Sequence, residues 1–290
     1  MENNDTKQIG LVFSGGGAKG SYQIGVWKAL RELGVEPAIT HVSGTSVGAL
    51  NACFFAIGEF DRAVEAWKAL VARDILDVDT GKADALVKKV GDLGVSRTVV
   101  ESALSLLGRS RSGGIFSRER LSRLIDKELD GTAIQNSPIR AYATCFDKST
   151  MGAEYFLLNV QQRETIKEIL LASSAIPVMF ESHTIGEKEY LDGGLVDNTP
   201  IRPLYDAGVR NFIVVHLTKT NVVDRQAYPN SHFLEIRSDQ DRGNFFSGTL
   251  NFTQKAVQQG LDDGYADAMH ILQGRRQASG AVPAPSDPPL

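Results

Sequence analysis

Ala38-Ile39-Thr40-His41-Val42-Ser43-Gly44-Thr45-Ser46-Val47-Gly48-Ala49-Leu50 is the stretch on which the fold turns. Ala38 to Ser43 is a short apolar run with the length of a buried strand, and the apolar stretch Ala49 to Ile57 has the length of a buried helix. Between them Gly44-Thr45-Ser46-Val47-Gly48 fits G-x-S-x-G, which in a strand–turn–helix setting marks a nucleophile elbow. The glycines matter sterically: without Cβ atoms, strand and helix approach closely while the central serine takes a strained, exposed backbone position. At the start of that helix the Ser46 hydroxyl would also feel the positive end of the helix dipole.

Upstream, the apolar run Ile9 to Ser14 ends in Gly15-Gly16-Gly17, and Ile24, Val26, Trp27, Leu30 and Leu33 follow at helical spacing. A strand–turn–helix unit thus occurs twice in about 60 residues, which predicts an α/β fold. Ser14-Gly15-Gly16-Gly17-Ala18-Lys19-Gly20 sets four glycines at a helix start, where free backbone N–H groups can converge on an anion. An oxyanion hole is one use of such a loop; a tight turn without a ligand is another. Gly15, Gly17 and Gly20 also satisfy G-x-G-x-x-G, but the second strand ends in Val42-Ser43 and runs into GTSVG, where a dinucleotide site wants an acid for the ribose. A phosphate loop of the G-x-x-x-x-G-K type fails because Lys19 precedes Gly20.

Downstream, Asp61 to Val71 reads as an amphipathic helix, and 73–114 loses its pattern and reads as an insertion or cap. Ser117 to Leu129 is a predicted helix, Ile139 to Cys145 and Ala153 to Val160 are predicted strands, and Glu164 to Ala175 is a predicted helix stopped before Pro177. His183 to Gly186 and Glu189 to Leu191 suggest a hairpin that delivers Asp192, followed by Gly193 and Gly194, at its end. Asn211 to Leu217 is the best buried-strand candidate, Phe233 to Ile236 a weaker one, and Thr253 to Leu272 a helix. The chain therefore reads as one domain over 1–273, with 274–290, which holds four prolines, as a disordered tail.

GGGAKG, GTSVG and DGG, in this order, resemble the patatin-like phospholipase family, supported by Ala172-Ser173-Ser174-Ala175-Ile176-Pro177 and by Asp192 to Pro200. The likeness covers roughly Ile9 to Gly208, weakens through Gly264-Tyr265-Ala266-Asp267-Ala268, and leaves out 73–114 and the tail. It implies a three-layer α/β/α fold with a central, mostly parallel sheet and a Ser-Asp dyad in place of a triad. Carried over by motif, Ser46 is the nucleophile, Asp192 its base, and the backbone of Gly15, Gly16 and Gly17 the oxyanion hole. Lys19 takes the basic position of the family's glycine motif; Gly44, Gly48, Gly193 and Gly194 support the two turns. The implied substrate is a phospholipid or related acyl lipid, with no cofactor and no metal. A triad in the order Ser, Asp, His stays open, since His216, His232 and His270 follow Asp192, and His216, ending an apolar run, is the best placed. His41 and His183 lack the spacing of metal ligands.

Composition bounds the rest. Within 290 residues, 42% are apolar and 23% charged, which excludes fibrous and wholly disordered classes. A net charge of −4 offers no field for nucleic acid. Cys53 and Cys145 sit singly in apolar stretches, as free thiols do, and the polar N-terminus and lack of long apolar runs speak against a secretion signal or membrane anchor. The expectation is a cytoplasmic protein, visiting membranes peripherally. Leu86 to Val90 and Val99 to Leu107, followed by Arg109 and Arg111, could form an interfacial cap; Phe245, Phe246 and Phe252 could line an acyl pocket or simply pack the core. A catalytically weak or ligand-gated binding protein on the same fold is the alternative class, and a nicotinamide or flavin oxidoreductase a distant third.

Overall fold

In β1 (Ile9–Phe13) the side chains alternate between two cores: Leu11 and Phe13 join one cluster and Val12 the other. β9 (Asn211–Val215) repeats this, with Ile213 and Val215 on the first side and Phe212 and Val214 on the second. A sheet buried on both faces is the setting in which parallel strands occur. The computed structural model describes residues 8–71, 76–77, 115–116, 118–176, 180–219, 221–238, 249 and 251–278.

The remaining strands are β2 (Ile39–Thr45), β3 (Leu76–Asp77), β4 (Ile115–Phe116), β5 (Arg140–Asp147), β6 (Gly152–Leu157), β7 (His183–Ile185), β8 (Lys188–Asp192) and β10 (His232–Ile236). Eight of them form one sheet in the order β10-β9-β1-β2-β5-β8-β7, with β6 also on β5. The pairs from β10 to β5 are parallel, and β6, β7 and β8 are added antiparallel. The fold is thus α/β with a mostly parallel central sheet. β3 and β4 pair with each other at the two ends of the expected cap, and the rest of 73–114, including the proposed interfacial segments, lies outside the described residues.

Helices α1 (Ser21–Glu32), α2 (Val47–Ala56), α3 (Phe60–Val71), α4 (Arg118–Glu128), α6 (Arg163–Ser173) and α8 (Gln254–Ala278) gather on the first face, around Trp27, Phe55 and Phe13. Trp27 and Phe55 meet at 5.1 Å between ring centroids, a tilted arrangement suited to aromatic quadrupoles. Among the described residues the second face carries α7 (Arg202–Asp206) and the segment beyond β9, packed on Val12, Tyr142 and Phe233. The short α5 (Gly131–Asn136), capped by the Asp130 carboxylate on Thr132 N at 2.9 Å, has no counterpart in the sequence reading. α8 continues to Ala278, so 274–278, assigned by sequence to the tail, are helical; no proline occurs before Pro283 to stop the helix sooner. Among the described residues no helix is long and apolar enough to cross a membrane.

Candidate active site

One edge of β5 is divided between two neighbours. Residues from Arg140 to Thr144 pair with β2, and Cys145 to Asp147 pair with β8, which runs in the opposite direction. Thr45 lies beside Thr144 and Asp192 beside Cys145, so the last residues of β2 and β8 meet end to end. Ser46, the residue after Thr45, is thereby brought to Asp192.

Ser46 sits at φ 56°, ψ −127°, a left-handed position that costs a non-glycine residue about 1–3 kcal/mol. The turn is held from behind: the Ser46 N–H donates to Ser173 Oγ at 2.9 Å, and that hydroxyl donates to Thr144 O at 2.6 Å. Gly44 and Gly48 meet where β2 gives way to α2. A Cβ on Gly44 would lie 2.1 Å from Gly48 O, and one on Gly48 would lie 2.4 Å from Phe13 O. The strand, tight turn and helix read around Ser46 are thus present.

Asp192 is buried, with its backbone N–H on Ala175 O at 2.9 Å. Its Oδ1 accepts the Gly194 N–H at 2.7 Å, and the Ser46 hydroxyl stands close enough to the carboxylate to favour its charged form. Burial raises its pKa to about 6, against the opposing influence of the Gly194 N–H and the Ser46 hydroxyl. No histidine acts on it. His216 is buried but bonds through Nε2 to Glu235 Oε2 at 3.1 Å, and burial holds its pKa down. His232 and His270 are exposed on β10 and α8. His41 bonds Thr40 on β2, and His183 bonds Glu168.

The glycine loop leaves β1 beside the elbow. Ser14 fixes its start, donating from Oγ to Val215 O at 3.0 Å and accepting Leu217 N at 3.0 Å. Gly15 donates its N–H to Asn198 O at 3.1 Å, so this donor is spent within the fold. The N–H groups of Gly16 and Gly17 meet no acceptor among the described residues. Gly17, at φ 56°, packs so closely under Thr249 that a Cβ would fall 2.3 Å from Thr249 O. Lys19 is buried in the turn that follows.

Asn198 was legible only as part of a phrase, yet it ties both halves of the site together. Its Nδ2 donates back to Gly15 O at 3.2 Å, and its Oδ1 lies where Cβ atoms on Gly15 and Gly194 would stand. The neighbouring Asp197 anchors the same loop, accepting Tyr155 OH at 2.7 Å through its carboxylate and Thr45 Oγ1 at 2.8 Å through its carbonyl. Beside Ser46 and Gly17 opens a cleft walled by Val47, Leu50, Leu70, Leu121, Phe180 and Phe252. Phe252 both lines it and stacks on Trp67, at 6.4 Å between centroids; Phe245 and Phe246 lie outside the described residues.

Residues 11–205, about two thirds of the chain, match the model of the Patatin family, described as patatin-like phospholipase. The chain belongs to that family. An uncharacterized NTE family protein of Mycobacterium tuberculosis (strain ATCC 25618 / H37Rv) is 25% identical over 231 residues, which are 79% of this chain and 55% of the relative. Lysophospholipase NTE1 of Cryptococcus neoformans var. neoformans serotype D (strain JEC21 / ATCC MYA-565) is 24% identical over 227 residues, 78% of this chain and 12% of that protein. The chain thus spans about half the length of the mycobacterial relative. Among solved structures, human GIVD cytosolic phospholipase A2, in complex with methyl γ-linolenyl fluorophosphonate, superposes with a TM-score of 0.53 at 12% identity, covering 96% of this chain and 60% of that one. VipD from Legionella pneumophila gives 0.50 at 16% identity, with coverage of 92% and 67%. At these identities the structural matches speak for the fold alone.

Proposed function

We propose that the chain is a lipid acyl hydrolase that cleaves carboxylic esters of phospholipids or related acyl lipids through an acyl-enzyme on Ser46. The observation that carries this reading is the juxtaposition, at the meeting ends of β2 and β8, of Ser46 with the buried Asp192 carboxylate, whose pKa burial raises to about 6. Such a carboxylate is ionised at neutral pH yet basic enough to take a proton. Ser46 Oγ attacks the ester carbonyl while its proton passes to Asp192. The oxyanion of the tetrahedral intermediate is received by the N–H groups of Gly16 and Gly17, each such donor contributing about 3 kcal/mol to transition-state stability. Asp192 then hands its proton to the leaving alcohol, and a water deprotonated by the same carboxylate releases the acid and restores Ser46.

Gly15 acts in this scheme as the anchored base of the loop, with Lys19, Gly44, Gly48, Gly193 and Gly194 shaping the turns. The apolar cleft beside Ser46 suits an acyl chain. Cys53 and Cys145, both buried and unpaired, fit a reducing compartment, and we infer action from the cytoplasm at a membrane surface. The pairing of His216 with Glu235 favours the dyad over a triad.

Hydrolysis of a medium-chain p-nitrophenyl ester and of mixed phospholipid vesicles without divalent metal tests this. Ser46→Ala and Asp192→Asn are each expected to lose at least about 10³-fold in kcat, as groups acting as a unit do. The wild-type kcat/KM is expected to rise tenfold per pH unit below about 6 and to level above it, following ionisation of Asp192. Near-normal rates for Asp192→Asn, with His216→Ala inactive, would overturn the dyad; equal background in wild type and Ser46→Ala would favour a pocket that only binds.

A further inference from the structure

The end of the sheet that holds the site also holds most of the large apolar side chains that are exposed among the described residues. β10, β9, β1, β2 and β5 run parallel, so their C-terminal ends share one side of the molecule, and β8 brings Asp192 to that side from the opposite direction. Five large apolar side chains are exposed among the described residues: Met151, Val160, Leu195, Val196 and Val222. Four of them belong to this end. Met151 is at the tip of the β5–β6 hairpin, beyond the C-terminus of β5; Leu195 and Val196 follow Asp192 by three and four positions; Val222 is in the loop that leaves β9, next to Asn221, whose Nδ2 bonds Thr199 at 3.4 Å. Val160 alone lies at the other end, where the antiparallel β6 has run back.

The backbone demands none of these four side chains. Met151 stands at φ 57° in a turn, where glycine or asparagine is the residue that both conformation and solvent favour, and it is 71% exposed. Leu195 ends a one-turn 3₁₀ segment and Val196 follows it, held by main-chain bonds such as Val196 N to Gly193 O at 3.0 Å, which polar residues would make equally well. The four are carried by three different loops. The lysines of the two hairpins on this side are neutralised: Lys148 is paired with Glu189, and Lys188 lies 3.0 Å from both Asp147 and Glu154. The cleft beside Ser46 is apolar as well.

We propose that this end seats on a lipid bilayer by inserting Met151, Leu195, Val196 and Val222 below the headgroups, so that an acyl chain passes from the membrane into the cleft without crossing water. This names the surface on which the reading of the previous subsection operates and rests on that reading for its purpose. Insertion is apolar and not Coulombic, so binding needs no anionic lipid and survives high salt.

Co-sedimentation of the full chain with phosphatidylcholine vesicles tests it, in a Ser46→Ala background so that binding is read apart from any hydrolysis. The expected results are binding that changes less than about twofold between 0.05 and 0.5 M salt, and at least about 30-fold weaker partitioning for Leu195→Ser/Val196→Ser/Val222→Ser. Val160→Ser is expected to bind as its parent does. With Ser46 restored, the triple variant is expected to hydrolyse a soluble p-nitrophenyl ester at the wild-type rate, with an unchanged melting temperature. No vesicle binding by the parent, equal binding by the triple variant, equal loss in Val160→Ser, or binding only to anionic vesicles at low salt would each overturn the proposal. A triple variant that fails to fold is replaced by Met151→Asn, expected to weaken partitioning about fivefold; no weakening there overturns it too. If hydrolysis fails while vesicle binding follows this pattern, the catalytic reading falls and the docking surface stands.

Discussion

A carboxyl group with a pKa near 6 in the folded chain, against an ordinary 3.8, is held in its charged form at a cost that burial imposes. For an acid whose folded pKa is raised, the stability it contributes is present below the unfolded value and lost as pH rises through the folded one. At about 1.4 kcal/mol per pKa unit, the folded state gives up roughly 3 kcal/mol at Asp192 above pH 6. Asp192→Asn is therefore expected to melt higher than wild type at pH 8 and to lose that advantage near pH 4, while remaining inactive; thermal melts across this range check it. Asn198 makes a second demand at the same scale. Asn198→Ala removes the bond to Gly15 O and leaves the glycine loop free to shift relative to Asp192. The expected outcome is a roughly hundredfold loss in kcat with KM within about threefold, because the misplaced donors serve the transition state and not ground-state binding; a loss confined to KM would contradict that role.

Between elements, backbone proximity decides more than side-chain bulk. α1 and α8 cross where Gly25, Gly260 and Gly264 leave no side chain between them; a Cβ on Gly264 would stand 2.0 Å from Tyr22 O, and one on Gly25 would stand 2.1 Å from Leu261 O. Tyr22 OH then reaches Asp267 Oδ2 at 2.9 Å and completes the contact. Gly264→Ala must push the helices apart and is expected to cost about 1–3 kcal/mol, a few degrees in melting temperature. Gly274→Ala, on the same helix with nothing within 4 Å, is expected to raise stability by up to about 1 kcal/mol through helix propensity. Paired melts of the two variants separate close packing from propensity.

Across the whole molecule, what was legible in the sequence was local. The glycine loop, the elbow around Ser46 and the hairpin ending at Asp192 each carry their signal within a few residues, because turn sterics write themselves into glycine spacing. What joins them is not local. Ser46 meets Asp192 because β2 and β8 share one edge of β5, a matter of strand order that no spacing reveals. The Asn198 bond to Gly15 spans 183 positions, and it explains why one of the three loop N–H groups is engaged, which glycine spacing alone does not disclose. His216 looked available at the end of an apolar run, while its partner Glu235 comes from the adjacent β10, whose sequence pattern is weak.

The central claim is that Ser46 is a nucleophile activated by Asp192. Reaction of the full chain with an alkyl fluorophosphonate, followed by mass mapping of the labelled peptide, tests it most directly, since phosphonylation needs the nucleophile, its base and the oxyanion donors but no lipid substrate. The expected result is a single adduct on Ser46, formed at a rate that rises through about pH 6 and falls by about 10³-fold or more in Asp192→Asn. An adduct on another residue, or labelling of Ser46 that is unchanged in Asp192→Asn, would contradict the account.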